Sequence, residues 1–265
     1  MDVDGLDVLV SAVPLTSDAF APFGELVENP RPDLHPSQHP AVADPGGAKA
    51  QAPLPFDAVS ANQGSAIKYQ HVTRMVNLYG QAPSKAPGEA VMNMFTCAAR
   101  KLQRQRQGSE PASGSEGYFN VRILERHPYT TQTFSPLAKD PNARYLVVVA
   151  PSLPPSDADA ALPVPSSGVP HGRSQVLPGR GLPDLRRLKA FITTGAQAVT
   201  YGAGTWHAPM VALGRKGSIV DFVVVQFANG VGVEDCQEVI FTSSSSKQSP
   251  RISVHISQTA RESKL

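Results

Sequence analysis

Cysteine is nearly absent from this chain. Its 265 residues include only Cys97 and Cys236, too few for a disulfide framework or a four-thiolate zinc site, and a reducing intracellular compartment suits them. Both read as small side chains packed among apolar neighbours. Charge is scarce as well, at 17% Asp, Glu, Lys and Arg, and it almost cancels: 24 Lys and Arg against 22 Asp and Glu leave a formal net +2. A phosphate-neutralising surface needs a larger or clustered positive field, so the composition argues against nucleic acid as a partner. Long apolar runs are missing too. None approaches the roughly 18 residues of a membrane-spanning helix, and the opening Met1-Asp2-Val3-Asp4-Gly5 is acidic where a secretory or transit leader is basic. These absences predict a soluble protein, neither secreted nor held in a membrane.

What the chain has in excess is glycine, 21, and proline, 25. Together they exceed average usage and favour turns and short strands over long helices. The apolar pattern agrees. Phe119, Val121, Ile123, Glu125 and His127 alternate along one expected strand, so that Glu125 and His127 end an inward apolar stripe. Tyr145 to Ala150 and Ile219 to Phe227 are continuous, β-branched runs too short for helices, and predict central strands. Leu185 to Ile192 opens as a helical turn and ends as a strand, while Ala198 to Tyr201 and Pro209 to Leu213 flank the turn Gly202-Ala203-Gly204. Helical signals are confined to Ser17 to Phe20, with Thr16 or Ser17 as cap. The fold class expected is all-β, a small barrel or double-sheet jelly roll carrying long Pro/Gly-rich loops.

One domain over residues 1–242 accounts for these strands, with interruptions. Residues 28–58 are Pro-rich and read as an irregular surface excursion, 101–117 as a polar insertion, and 151–183, with eight prolines, as a long projecting loop. Residues 243–265 read as a flexible tail, although Ile252, Val254 and Ile256 alternate as a short edge strand would. The tail closes with Ser263-Lys264-Leu265, the tripeptide read by the peroxisomal import receptor. Peroxisomal location is the expectation.

Of seven histidines, His35, His39 and His171 sit in Pro-rich loops and His255 in the tail, leaving His71, His127 and His207 on plausible framework. Only His127 and His207 have suggestive surroundings. Inward side chains converge where strands of a barrel meet, and imidazoles with a carboxylate or amide oxygen suit a divalent ion such as nickel or manganese. Glu125, His127, Gln132 and His207 form that kind of set, while an inward histidine is also a common hydrogen-bonded core residue. Trp206, beside His207, reads as a core aromatic.

Four segments carry a resemblance. They are Leu124-Glu125-Arg126-His127-Pro128 with Thr131-Gln132-Thr133-Phe134, then Pro183-Asp184-Leu185, then Leu188 to Thr193, and last Gly204-Thr205-Trp206-His207-Ala208-Pro209. In order and spacing they resemble the ureidoglycolate lyase family, especially its fungal branch. The opening Pro14-Leu15-Thr16 with Phe20, Phe23 and Gly24, and the turn Asn62-Gln63-Gly64, are similar to that family as well. The resemblance spans about residues 12–240. It implies a cupin-type β-fold, usually a homodimer, that splits (S)-ureidoglycolate into glyoxylate and urea late in purine and allantoin degradation, and it implies a divalent metal, often nickel. Two departures stand out: Ala208 occupies the place of a second histidine in bacterial members, and Lys68 replaces an arginine, keeping the charge without the bidentate fork.

The implied substrate is a carbinolamine beside a carboxylate. Its cleavage needs a base for the hydroxyl proton, an acid for the departing nitrogen and a cation for the carboxylate. His127 is assigned as base or metal ligand, His207 as its partner, and Glu125 as acid or as the group that tunes an imidazole. Gln132 either coordinates the metal or holds the ureido group. Lys68 and Arg100 are candidates for the carboxylate, and Asn62 for a polar substrate contact. The alternatives are hydrolysis of the same substrate with ammonia release, and a non-catalytic cupin-like module holding a small carboxylate. An iron oxygenase is disfavoured because no close His-x-His pair is present.

Overall fold

The computed structural model describes residues 5–39, 53–104, 117–137, 140, 142–166, 177–242 and 251–257. The chain divides into two compact units, Met1–Leu26 with Met75–Leu265, and Val27–Arg74. Strands dominate the larger unit, and no helix of the described residues is long and apolar enough to cross a membrane. The expected all-β class holds, as several sheets with no closed barrel among the described residues.

Three stacked sheets build the larger unit. The middle one runs Gln237–Ile240, Ile123–Arg126, Trp206–His207, Arg144–Ala150, Lys189–Thr194 and Val13–Pro14, with Val211–Leu213 also pairing with Arg144–Ala150. A five-stranded sheet runs Gly24–Val27, Ala198–Tyr201, Gln132–Pro136, Ile219–Ala228 and Glu89–Ala98. A three-stranded sheet holds Asp7–Ser11, Arg251–Ile256 and Gly117–Asn120.

The strand Arg144–Ala150 explains the stacking. Tyr145, Val147 and Val149 join Phe134, Tyr201, Phe222 and Val224 in an apolar layer toward the five-stranded sheet. Leu146, Val148 and Ala150 join Phe119, Trp206, Ile252, Val254 and Ile256 in a second layer toward the three-stranded sheet. Successive strand residues point to opposite faces, so a strand buried on both must be apolar throughout. That is the run the sequence displays. Each fully buried side chain here stabilises the fold by roughly 1.5–3 kcal/mol.

The short helix Ser17–Phe20 is capped by the Thr16 hydroxyl, which accepts from the Ala19 amide at 3.3 Å, and Leu185–Arg187 forms the expected turn ahead of Lys189–Thr194.

Three expectations need correction. The stripe through Phe119 and His127 is not one strand: Gly117–Asn120 belongs to the three-stranded sheet and Ile123–Arg126 to the middle sheet. The break at Val121-Arg122 shifts the alternation by one residue. Phe119, Val121 and Leu124 therefore share one apolar layer, and Glu125 turns to the opposite face. Second, the tail is not flexible throughout, because Arg251–Ile256 lies between Asp7–Ser11, in parallel, and Gly117–Asn120, antiparallel. Its Ile252, Val254 and Ile256 are buried, so it is a core strand. Ser263, Lys264 and Leu265 lie outside the described residues.

Third, the Pro-rich excursion is more than surface loop, since its described part belongs to the Val27–Arg74 unit. In that unit Val59–Ala61 pairs antiparallel with Ala66–Lys68 through a turn in which Asn62, Gln63 and Gly64 have φ of 49°, 55° and 88°. The Gln70 amide donates to the Phe56 carbonyl at 2.9 Å, and its side chain donates to the Asp57 carbonyl at 2.6 Å.

Candidate active site

Glu125 sits in the strand Ile123–Arg126, and register places it directly opposite His207. His127 follows that strand by one residue. The turn before Trp206 and His207 is tight: the Thr205 amide donates to the Gly202 carbonyl at 3.0 Å, and Gly204, at φ +77°, donates its amide to the His127 carbonyl at 2.9 Å. A left-handed residue there favours glycine. The turn thus brings the two histidines to one place from positions far apart in the chain. Their ring centroids are 5.6 Å apart.

Hydrogen bonding fixes both tautomers. His127 Nδ1 lies 2.6 Å from the Asp235 carbonyl and His207 Nδ1 2.9 Å from the Thr205 carbonyl. A carbonyl only accepts, so each Nδ1 carries the hydrogen and donates it. In a neutral ring the lone pair then sits on Nε2. Both Nε2 atoms are buried without a hydrogen-bond partner, and His207 Nε2 is 3.5 Å from Glu125 Oε1. One ligand atom from each of Glu125, His127 and His207 lies within 4.8 Å of the others.

Three acceptors facing one another without a donor leave room for a proton or a cation. Burial, and next the neighbouring His207, hold the His127 imidazole well below its usual range, which keeps it neutral. Burial pushes the Glu125 carboxyl up, but the neighbouring His207 imidazole outweighs it, and the net direction is down. The trio therefore fits a divalent ion as well as it fits proton transfer, since imidazoles whose other nitrogen is held by a carbonyl are well-oriented ligands. The Cys236 thiol stands near Glu125, and Glu125, Cys236 and Glu238 form a second group whose ligand atoms lie within 4.8 Å of one another. Burial and the carboxylates of Glu125, Glu238 and Asp235 push the thiol up to about 12, so it stays protonated.

Tyr201 supplies the wall. Its ring stacks on His207 at 4.0 Å between centroids and 11° between planes, and it is itself held by Phe20 and Phe134. Across the five-stranded sheet Tyr201 pairs with Gln132, which pairs in turn with Gln226. Gln132 Nε2 donates to Gln226 Oε1 at 2.6 Å, leaving Gln132 Oε1 buried and unpartnered.

Arg100 stands apart from the trio. Arg100 lines a cavity with Phe119, Val121 and Ala208, members of the layer toward the three-stranded sheet, whereas His207 pairs with Val149 and faces the other layer. The middle sheet stands between them, which removes Arg100 from the substrate carboxylate. Asn62 and Lys68 belong to the Val27–Arg74 unit, where Lys68 ends a strand, exposed.

Sequence reasoning missed Arg126, Tyr201 and Gln226. Arg126 is fully buried, its guanidinium 4.3 Å from the Trp206 ring. It donates to Gln237 Oε1 at 2.8 Å and to the carbonyls of Gly179, Arg180 and Gly181 at 2.8, 2.8 and 3.3 Å, while Trp206 Nε1 also reaches Gly181 at 3.0 Å. A Cβ at Gly181 would overlap the Leu153 carbonyl. Burial pushes the Arg126 guanidinium down to about 10, still charged at neutral pH. Arg126 thereby fastens the end of the long 151–183 insertion onto the strand that carries Glu125, with Trp206 as the stacking surface.

A model of the ureidoglycolate lyase family matches residues 7–248. The chain belongs to that family. It is 31% identical over 229 residues to the ureidoglycolate lyase of Schizosaccharomyces pombe, covering 86% of this chain and 89% of that protein. The enzyme of Saccharomyces cerevisiae is 36% identical over 168 residues, 62% of this chain and 67% of its own length. A bacterial ureidoglycolate lyase, from Burkholderia mallei, is 29% identical over 216 residues, covering 82% and 81%. Membership in this family makes the chain a carbon–nitrogen lyase.

Proposed function

We propose that this ureidoglycolate lyase family member splits ureidoglycolate into glyoxylate and urea at Glu125, His127 and His207. The observation that carries the reading is the pair of buried Nε2 lone pairs facing one carboxylate. His127 Nε2 accepts the substrate's hydroxyl proton as the carbon–oxygen bond becomes the aldehyde of glyoxylate and the carbon–nitrogen bond breaks. The departing nitrogen takes a proton shared between His207 Nε2 and Glu125, and urea leaves. Return of the proton from His127 resets the site, so the reaction consumes no water and forms no covalent intermediate. The Gln132 and Gln226 amides match the ureido group, which offers N–H donors and a carbonyl.

A divalent ion such as nickel or manganese would be held by Glu125, His127 and His207 and would supply Lewis acidity to the substrate's hydroxyl and carboxylate oxygens. The two imidazoles and one carboxylate, with no hydrogen-bond partner on either Nε2, are the donor set such an ion accepts.

Product stoichiometry separates lyase from hydrolase. Purified protein, assayed before and after chelation, should give glyoxylate and urea in equal amounts. Ammonia without urea from urease-free protein assigns hydrolysis instead, and no product at all leaves only a binding module.

The protein is read as peroxisomal through Ser263-Lys264-Leu265 and the import receptor. Deleting the tripeptide should move a tagged protein to the cytosol with its activity intact, because Arg251–Ile256 remains in its sheet. Unchanged location by microscopy refutes the address. A homodimer is part of the same reading. The outer edge strand Glu89–Ala98 offers it a surface: Met92 and Met94 are 72% and 62% exposed, beside Val225 and Val223 in register.

A further inference from the structure

A cavity of about 210 Å3 opens on the side of the middle sheet away from the histidines. Its apolar part is Phe119, Val121 and Ala208, which belong to the layer that Trp206 joins. Its charged part is Arg100, Lys101 and Arg122, with Gln103 and Asn120 beside them, and among the described residues no Asp or Glu lines it.

The three cations are held on fixed backbone. The Arg100 amide donates to the Ala212 carbonyl at 2.9 Å, and Gln103 and Tyr118 exchange two backbone bonds of 2.8 Å that seat the Lys101 segment against Gly117–Asn120. The Arg122 carbonyl accepts from the Phe241 amide at 2.9 Å, and the Val121 amide donates to the Ile252 carbonyl at 2.8 Å. Among the described residues none of the three cations has an ion-pair partner. Arg100 has instead the Phe119 ring, 5.7 Å from its guanidinium carbon.

Three like charges around one concave space repel each other unless an anion joins them. Two guanidinium forks favour planar, multidentate oxyanions, and the Phe119 and Val121 surface favours carbon over water. The geometry points to a second ligand site here, for a compact organic anion with two or more negative charges, whose charges meet Arg100, Lys101 and Arg122 and whose carbon frame lies on Phe119 and Val121. This site does not depend on the proposed reaction. The protein's own glyoxylate, with one charge and almost no carbon frame, satisfies neither half of it.

The test is calorimetric titration of the full-length protein at low ionic strength with tricarballylate, which lacks the chelating hydroxyl of citrate. Inorganic phosphate and acetate serve as comparisons. Tricarballylate should saturate one site per chain and bind more tightly than phosphate, which has no carbon frame, and than acetate, which has one charge. Arg100→Gln and Arg122→Gln should each weaken it by at least about tenfold, while His207→Ala binds it as the wild type does. Absence of saturable heat overturns the proposal, as does wild-type affinity in both arginine variants. Phosphate binding as tightly as tricarballylate overturns the organic class. Loss of binding in His207→Ala places the anion in the histidine site and overturns the second site.

Discussion

His207→Ala is expected to lower turnover by about 10²–10⁴-fold, the range for loss of a positioned acid or base. The residue is 1% exposed, faces Glu125 at 3.5 Å and lies against Tyr201, so the variant removes a proton carrier and one wall of its neighbour together. His127→Ala should lose as much, because its Nε2 lone pair, fixed by the Asp235 carbonyl, has no substitute nearby. Combining the two should cost far less than the product of the single losses, since residues acting as one unit are not additive. Steady-state urea release gives turnover, and a thermal melt of each variant separates chemistry from packing. Near-normal turnover in both single variants would sink the site assignment and leave the fold untouched.

Ending the chain at Pro250 should unfold the larger unit at ordinary temperature. Arg251–Ile256 is the central strand of the three-stranded sheet, and Ile252, Val254 and Ile256 each bury an aliphatic side chain worth roughly 1.5–3 kcal/mol. Their removal also uncovers Phe119, Leu124, Val148 and Trp206, which share the layer. The direct loss alone matches a large part of the roughly 5–15 kcal/mol by which domains are stable. Val254→Ala keeps the backbone and should cost about 2 kcal/mol, a fall in Tm of roughly 4–8 °C. A truncated protein that melts cooperatively within a few degrees of the full chain refutes the structural role. The contrast with the tripeptide deletion, which should leave stability unchanged, locates where address ends and fold begins.

The sequence by itself determined the central strands and the three side chains proposed to react. Val147, Val148 and Val149 had to be interior, because an unbroken β-branched run leaves no polar face for water. Glu125, His127 and His207 were recognisable as residues whose chemistry suits proton transfer or a metal, within motifs resembling one family. Which face each strand turned inward was decided elsewhere. The break at Val121-Arg122 reversed the alternation, so Phe119 and Val121 packed one layer while Glu125 entered the other, a shift that pattern alone does not carry because a one-residue slip flips every side chain. Arg100 looked like a substrate cation, and the middle sheet put it on the far side. Ile252, Val254 and Ile256 looked like an edge, and two long-range pairings made them a centre. Arg126 carried no local signal at all: a buried guanidinium is tolerable only once Trp206, Gln237 and three carbonyls from a distant loop have assembled around it, and that assembly exists only in the folded chain.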